Sequence, residues 1–292
     1  MNLPLKGILP ALVTPLHDDL TLDVSALEKL LAHVYGAGCH GVYVCGSTGE
    51  GQLLDAATRR RIVEIAADHT PSGRQMIVHV GAWSPRESQE LARHAEQHGA
   101  AAISCLRPQN TSFPETLAHY RALAAVTALP FLAYYFPAQA GGTMSLNELQ
   151  QLCALPGIVG LKFTDYDLFT LSLLVRQGKT VFHGRDEMLV AGFLMGACGG
   201  IGSIYNIVPE WFVKLYDLSQ EGRWAAAREL QDRINDLIRV LVSFPFMPAL
   251  KRTLDWQGLR CGPALAPRMP LTAQEDARLI AALEALPGLP KV

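Results

Sequence analysis

Ile158-Val159-Gly160-Leu161-Lys162-Phe163-Thr164 is a short apolar run that contains a single charged side chain, the lysine. Runs of similar length recur along the chain, at residues 7–13, 41–45, 76–80, 101–106, 131–135, 180–183 and 199–204. Runs that are apolar throughout predict strands buried on both faces, as in parallel sheets. Longer amphipathic stretches separate them, and this alternation predicts right-handed β-α-β crossovers. Eight such units favour a closed (β/α)8 barrel, the TIM barrel.

Helix signals lie between the predicted strands. Ser25 precedes the helical pattern of residues 26–35, Ser84 and Pro85 precede residues 86–97, and Ser145 precedes residues 146–154. Beyond the eighth strand only helices are predicted, at residues 210–218, 224–242, 247–256 and 273–286. The chain is therefore predicted to be one domain, with a barrel over residues 1–220 and an appended C-terminal helical layer over residues 221–292.

An open doubly wound sheet is the alternative fold. No Gly-x-Gly-x-x-Gly turn follows the first predicted strand, which disfavours a dinucleotide-binding domain of that type. Residues 188–208 carry no charge over a length that could suggest a membrane span. Five glycines and two polar residues interrupt the segment, so a buried helix followed by a barrel strand is the preferred interpretation.

Composition excludes several classes of function. The chain has 292 residues and a formal net charge of −2, with no basic stripe, so no nucleic-acid partner is expected. Its six cysteines are scattered singly through apolar segments, which predicts free thiols in a reducing compartment and no metal site. The first nine residues lack the pattern of a secretion signal, and the cytoplasm is the expected location.

Barrel enzymes place their chemistry at the carboxyl ends of the strands. Lys162 lies inside a strand, where desolvation should lower its pKa toward a neutral, nucleophilic amine. Tyr134 closes the fifth strand and can transfer a proton. Ser47 and Thr48 lie in a glycine-flanked loop after the second strand, whose N–H and O–H groups can bind a carboxylate. Each feature has a simpler structural explanation, but together they predict one site.

Two further loops complete this pattern. Asp186 and Glu187 follow the seventh strand, where they can complement a helix dipole or accept hydrogen bonds from sugar hydroxyls. The eighth strand ends in a Gly-Ile-Gly-Ser run that reaches Ser203, and small residues there allow a ligand to approach closely.

These motifs resemble the pyruvate-dependent class I aldolase family of dihydrodipicolinate synthase and N-acetylneuraminate lyase. The likeness covers nearly the whole chain, from the Gly-Ile-Leu-Pro-Ala run at residues 7–11 through the Gly-Ser-Thr-Gly-Glu loop to the C-terminal helices. The resemblance implies that Lys162 is the Schiff-base lysine and that Tyr134 is the proton-transfer tyrosine. It also implies that Ser47 and Thr48 hold the substrate carboxylate.

Three features point to the lyase branch. Dihydrodipicolinate synthases typically place an arginine two residues after the proline of the Tyr-x-x-Pro stretch, where this chain has Gln139. The Asp-Glu pair after Gly184 looks like the lyase pair for the sialic acid glycerol tail, and the runs around Lys162 and Ser203 also look lyase-like. The resemblance implies a sugar-chain subsite formed by Thr164, Gly184, Asp186, Glu187 and Ser203.

The loop after Pro108 departs from the family pattern. The family usually carries an aromatic-rich loop there, often with a tyrosine that reaches a neighbouring subunit's site. Here the loop reads Gln-Asn-Thr-Ser-Phe and looks shorter, so the proton relay and the substrate preference are open to change.

The resemblance implies cleavage of a 2-keto-3-deoxy sugar acid to pyruvate and an aldehyde, with N-acetylneuraminate as the first candidate. Alternatives are aldol cleavage or dehydration of a shorter 2-keto-3-deoxy acid, dihydrodipicolinate synthesis, and a non-catalytic homologue that binds keto acids. A Schiff base at Lys162 supplies the electron sink, so no cofactor and no metal are expected. A homotetramer without membrane attachment is also implied.

Overall fold

The structure, a computed structural model, describes residues 4–291. Its eight strands are β1 (Gly7–Pro10), β2 (Gly41–Val44), β3 (Gln75–His79), β4 (Ala102–Leu106), β5 (Phe131–Tyr135), β6 (Ile158–Phe163), β7 (Thr180–His183) and β8 (Gly199–Gly202). The predicted (β/α)8 barrel is confirmed, and each predicted strand is present. The prediction extended β1 to residue 13, whereas the strand ends at Pro10 because the Leu12 amide already bonds to β2.

All strand pairs are parallel, and the order around the sheet is β1-β8-β7-β6-β5-β4-β3-β2. The sheet closes between β1 and β2, where the Leu12 amide donates to the Tyr43 carbonyl at 3.0 Å. In the register of β5 and β6, Tyr134 lies beside Lys162. Residues that are neighbours across two strands share a face, so the two side chains lie on the same side of the sheet, with the Lys162 nitrogen 4.2 Å from the Tyr134 ring centre.

Helices separate the strands and continue after β8. They are α1 (Val24–Gly36), α2 (Ala56–His69), α3 (Pro85–Gln97), α4 (Phe113–Ala124), α5 (Leu146–Cys153), α6 (Leu168–Arg176), α7 (Leu189–Leu194), α8 (Pro209–Gln220), α9 (Trp224–Leu241), α10 (Phe246–Gln257) and α11 (Ala273–Glu284). The predicted start of α1 at Ser25 was wrong by two residues, because the Asp23 carboxylate caps the helix by accepting from the Ala26 amide.

The uncharged segment 188–208 forms α7, strand β8 and the loop that follows, as predicted. Two residues after α7 ends, Gly196 has a φ of 93°, a conformation that glycine adopts without strain. Among the helices of residues 4–291, none is long and apolar enough to cross a membrane.

The C-terminal helices hold the loops at the carboxyl end of the barrel. Gln231 of α9 donates to the Asp186 carbonyl at 3.0 Å and accepts from the Val190 amide at 3.2 Å. Asn235, one turn later, donates to the Glu187 carbonyl at 3.2 Å. Helix α9 therefore fixes the loop after β7, which carries three of the predicted site residues, Gly184, Asp186 and Glu187.

Candidate active site

A cavity of about 370 Å³ opens at the carboxyl ends of the strands. All nine residues predicted for the site line it, namely Ser47, Thr48, Tyr134, Lys162, Thr164, Gly184, Asp186, Glu187 and Ser203. They come from five different strand ends and lie up to 156 positions apart in the chain, since residue 203 minus residue 47 is 156. The fold thus brings the whole predicted set to one place.

Lys162 lies at the base of the cavity with 4% of its surface exposed. Its ammonium nitrogen is 4.2 Å from the ring centre of Tyr43 and 4.2 Å from that of Tyr134. Burial lowers the pKa of this amine to about 7, while the nearby carboxylate of Asp186 acts in the opposite direction. At neutral pH a large share of the amine is unprotonated and can attack a carbonyl carbon.

Tyr134 is 3% exposed and forms the wall of the cavity beside the lysine. Burial raises the pKa of its phenol to about 12, although the neighbouring Ser47 and Thr164 hydroxyls act in the opposite direction. Below it the Tyr43 hydroxyl donates to Ser104 at 3.1 Å, which fixes the second ring against the lysine. The tyrosine is therefore a protonated phenol placed next to the amine.

The loop after β2 is held in a strained shape. Cys45 and Glu50, which flank it, have φ angles of 58° and 54°, a left-handed conformation that is uncommon outside glycine and concentrated at functional sites. The Thr48 and Ser203 hydroxyls lie 2.7 Å apart, so they join the loops after β2 and β8. Ser47 donates to the Gln139 side chain at 2.8 Å. Hydroxyl groups from two strand ends and an amide from a third thus meet in the cavity that holds the lysine.

Glu50 anchors this loop to the C-terminal helices by a buried charge cluster that the sequence did not predict. Its carboxylate lies 2.9 Å from Lys251 of α10 and 3.2 Å from Arg268, and it accepts from the Leu265 amide at 2.8 Å. The Glu50 and Lys251 side chains are 0% and 1% exposed. Because Ser47 and Thr48 lie within three residues of Glu50, the cluster fixes the hydroxyl loop.

Asp186 is 8% exposed, and its Oδ2 accepts from the Ile204 amide at 2.9 Å. Within the described part of the chain its Oδ1 has no hydrogen-bond partner, and neither has the buried Thr164 hydroxyl. Burial raises the pKa of Asp186 to about 7, whereas the Ile204 amide acts in the opposite direction. A Cβ on Gly202 would overlap Asp186 Oδ1, and one on Gly184 would overlap the Thr164 hydroxyl. Glycine at these two positions therefore leaves room for polar atoms that can meet a ligand.

Glu187 lies nearer the mouth of the cavity. Its Oε1 accepts from the Tyr166 hydroxyl at 2.9 Å and lies 3.9 Å from Arg185. The Arg185 guanidinium carbon lies 4.1 Å from the Tyr166 ring centre and 5.5 Å from that of Phe136. Three further residues line the cavity that the sequence did not predict for the site, namely Phe136, Tyr166 and Arg185. Tyr166 is 55% exposed, so only its contacts in the folded chain distinguish it from an ordinary surface residue.

The loop after Pro108 is tied mainly to itself. Arg107 donates to the Thr111 carbonyl at 2.6 Å, and the Thr111 hydroxyl donates to the Pro108 carbonyl at 2.8 Å. The Gln109 side-chain amide donates to the Gln139 carbonyl at 3.2 Å. No aromatic side chain of this loop lines the lysine cavity among the described residues.

The cavity's polar groups suit covalent chemistry on a carbonyl compound. It combines an amine of depressed pKa, a phenol, hydroxyl groups and two carboxylates. Across residues 4–291, the one cluster of three His or carboxylate side chains with ligand atoms within 4.8 Å of one another is Glu64, His94 and His98. Glu64 is on α2, His94 is on α3 and His98 directly follows α3, and none of the three lines the cavity.

Comparison with known proteins agrees with this description. The dihydrodipicolinate synthetase family matches residues 4–286. N-acetylneuraminate lyase of Rhizobium meliloti is 39% identical over 286 residues, which cover 97% of this chain and 94% of that protein. The lyase of Salmonella agona is 36% identical over 287 residues, covering 97% and 96%.

Solved structures give the same result. The Clostridium difficile protein CdNal, solved in complex with mannosamine, superimposes with a TM-score of 0.92 at 27% identity, covering 97% of this chain and 99% of that one. N-acetylneuraminate lyase from Proteus mirabilis has a TM-score of 0.90 at 27% identity, with coverage of 97% and 99%.

Proposed function

Because this chain belongs to the dihydrodipicolinate synthetase family and is an aldolase of that family, we propose that it cleaves N-acetylneuraminate to pyruvate and N-acetylmannosamine through a Schiff base at Lys162. One observation carries the proposal. A buried amine with a pKa of about 7 lies beside Tyr134 in a cavity that also holds Ser47, Thr48 and the Asp186-Glu187 pair.

The reaction begins at the lysine. The neutral amine of Lys162 attacks the C2 ketone of the open-chain sugar acid, and loss of water gives an iminium ion. Ser47 and Thr48 donate hydrogen bonds to the C1 carboxylate, which places C2 over the amine. The positively charged iminium is an electron sink, so the cleavage requires neither a metal nor an organic cofactor.

Tyr134 acts in the next step. Its phenol helps to remove the proton of the C4 hydroxyl, and it can pass one proton on as it accepts another. The C3–C4 bond then breaks and the aldehyde leaves. The two electrons of that bond form the C2–C3 double bond, which converts the iminium into an enamine. Protonation of the enamine at C3 and hydrolysis release pyruvate and restore Lys162.

The sugar chain extends from C4 toward the loop after β7. Asp186 and Glu187 accept hydrogen bonds from its hydroxyls, and the Thr164 hydroxyl, the Gly184 backbone and Ser203 complete the subsite. Within residues 4–291, Asp186 Oδ1 and the Thr164 hydroxyl have no hydrogen-bond partner, which supports this assignment because buried polar atoms are rarely left without one.

Borohydride trapping tests the chemistry. Incubation with pyruvate and borohydride should add a reduced pyruvyl group to Lys162, detected by peptide mass spectrometry, and Lys162→Met should remove the adduct. Lys179→Arg is the matched control, because Lys179 is a half-buried lysine bonded to the Cys153 carbonyl. An unmodified Lys162 in the wild type would refute the mechanism and favour a non-catalytic keto-acid-binding homologue.

Substrate assays test the aldehyde half. We expect pyruvate release from N-acetylneuraminate at a higher kcat/KM than from 2-keto-3-deoxygluconate. The reverse order would assign the site to a shorter sugar acid. Condensation of pyruvate with aspartate semialdehyde would instead indicate a dihydrodipicolinate synthase, for which Gln139 lacks the positive charge expected at that position. The resemblance also implies a cytoplasmic homotetramer, and light scattering of the purified protein tests the oligomeric state.

A further inference from the structure

A group of three side chains, Phe136, Tyr166 and Arg185, borders the cavity next to Glu187, and we call it the aromatic clamp. Arg185 lies between the two rings, 4.1 Å from the centre of Tyr166 and 5.5 Å from that of Phe136. Phe136 in turn lies roughly parallel to Tyr134, with ring centres 6.0 Å apart. The clamp is therefore continuous with the catalytic wall of the cavity.

The clamp holds one oxygen of Glu187. The Tyr166 hydroxyl donates to Oε1 at 2.9 Å, and the Arg185 guanidinium lies 3.9 Å from the same atom. The Glu187 backbone is fixed separately, because its carbonyl accepts from Asn235 at 3.2 Å. Among the described residues no hydrogen bond or ion pair engages Oε2. That oxygen is left to accept from a ligand.

Holding a carboxylate in one rotamer has a consequence for binding. A free glutamate loses side-chain entropy when it binds a ligand, whereas a preoriented one has already lost it. Only a substrate long enough to reach Glu187 gains from this preorganisation, and a short aldehyde does not.

We propose that Tyr166 and Arg185 are specificity-determining positioning residues, which orient Glu187 so that the site favours long polyhydroxylated aldehydes over short ones. This inference rests on the proposed aldolase function and deepens it. The substrate class is a neutral polyol chain of five or more carbons, whose distal hydroxyls donate to Glu187 Oε2.

The test uses the condensation direction, with pyruvate and a series of aldoses from glyceraldehyde through erythrose to mannose and N-acetylmannosamine. In the wild type the KM for the aldehyde should fall as the chain lengthens. Tyr166→Phe keeps the ring and removes the hydroxyl. We expect it to raise the KM for the long aldoses about tenfold, the equivalent of one charge-assisted hydrogen bond, with a smaller change in kcat and in the KM for glyceraldehyde.

Two further variants separate positioning from general damage. In a Glu187→Ala background, which leaves no acceptor for the Tyr166 hydroxyl, the effect of Tyr166→Phe should disappear, since a double-mutant cycle isolates the coupling between the two residues. Arg185→Met should shift the KM for long aldoses in the same direction, and Arg185→Lys should restore part of the loss because it keeps a cation over the ring. Tyr35→Phe, which removes a half-buried phenol hydroxyl bonded to Thr70 far from the cavity, is the matched control and should leave the series unchanged.

Two results would overturn the role of the clamp without affecting the proposed function. A wild-type enzyme that forms the pyruvyl adduct but shows no chain-length preference would overturn the role of the clamp and leave the aldolase chemistry standing. Equal losses for short and long aldoses in Tyr166→Phe would also overturn it. If no adduct forms, the proposed function fails first, and the inference falls with it.

Discussion

The buried pair formed by Glu50 and Lys251 gives a quantitative prediction about stability. The two groups lie 2.9 Å apart at 0% and 1% exposure, and Lys251 also donates to the Pro263 carbonyl at 2.6 Å. Lys251→Met removes the cation but leaves the carboxylate buried. Since Glu50 keeps Arg268 and the Leu265 amide as partners, we expect a loss near the lower end of the about 3–5 kcal/mol typical of a broken buried pair.

Urea unfolding measures this loss. With a slope of about 3 kcal/mol per molar urea, a loss of about 3 kcal/mol lowers the unfolding midpoint by about 1 M. The double variant Glu50→Gln with Lys251→Met should recover at least half of the loss, because no unpaired buried charge remains. Lys214→Met, on the exposed face of α8, is the matched control and should stay within about 0.5 kcal/mol of the wild type.

Two results would refute the reasoning. A midpoint shift below about 0.3 M in Lys251→Met, equivalent to about 1 kcal/mol, would mean that the pair contributes little. A double variant as unstable as the sum of the single variants would mean that the two residues act independently. The same samples should show a raised KM for pyruvate, because Glu50 holds the loop that carries Ser47 and Thr48.

Four predictions concern the site itself. With a Lys162 pKa of about 7, the rate of adduct formation with pyruvate should rise about thirtyfold from pH 5.5 to 8.5, following the neutral amine; a flat profile would contradict this. Asp186→Asn removes the charge that raises that pKa, so the profile should move to lower pH. Tyr134→Phe should lower kcat for cleavage about 10²- to 10⁴-fold while the lysine still forms an adduct, measured by trapping. Gly202→Ala should displace Asp186 and raise the KM for the sugar acid, and an unchanged KM would count against the role of Asp186.

The strands were predictable because their signal is local. A buried parallel strand is apolar on both faces, and each of the eight runs carries that pattern in its own residues. Helix boundaries were less secure where two residues compete for one role. Asp23 and Ser25 are both good N-cap residues, and only the folded backbone shows that Asp23 accepts from Ala26.

The site residues could be predicted where they end a strand. Lys162 and Tyr134 share a register across β6 and β5, and their placement follows from the fold. The residues that support them could not be predicted in this way. Lys251 is on α10 and looks like a surface lysine in sequence, yet it is buried against a glutamate 201 positions earlier in the chain, since 251 minus 50 is 201.

The aromatic clamp was missed for a related reason. Phe136, Tyr166 and Arg185 belong to three separate loops, and each alone is compatible with an ordinary surface role. The role proposed for them depends on mutual distances of a few ångströms, which no local pattern encodes. Four side chains of this C-terminal region border the cavity but could not be assigned to it before the helices were docked, namely Ile238 of α9, Val242 just after α9, and Phe246 and Met247 of α10.

The contact between Glu50 and Leu265 spans 215 residues of chain, and this separation sets the order of events during biosynthesis. At a synthesis rate of about 5–20 residues per second, the ribosome needs roughly 10–40 s to make the intervening segment. Throughout that interval the loop that carries Ser47 and Thr48 exists without the full set of groups that fix it. We therefore expect a nascent chain that already contains all eight strands to remain inactive until its last helices have emerged and docked.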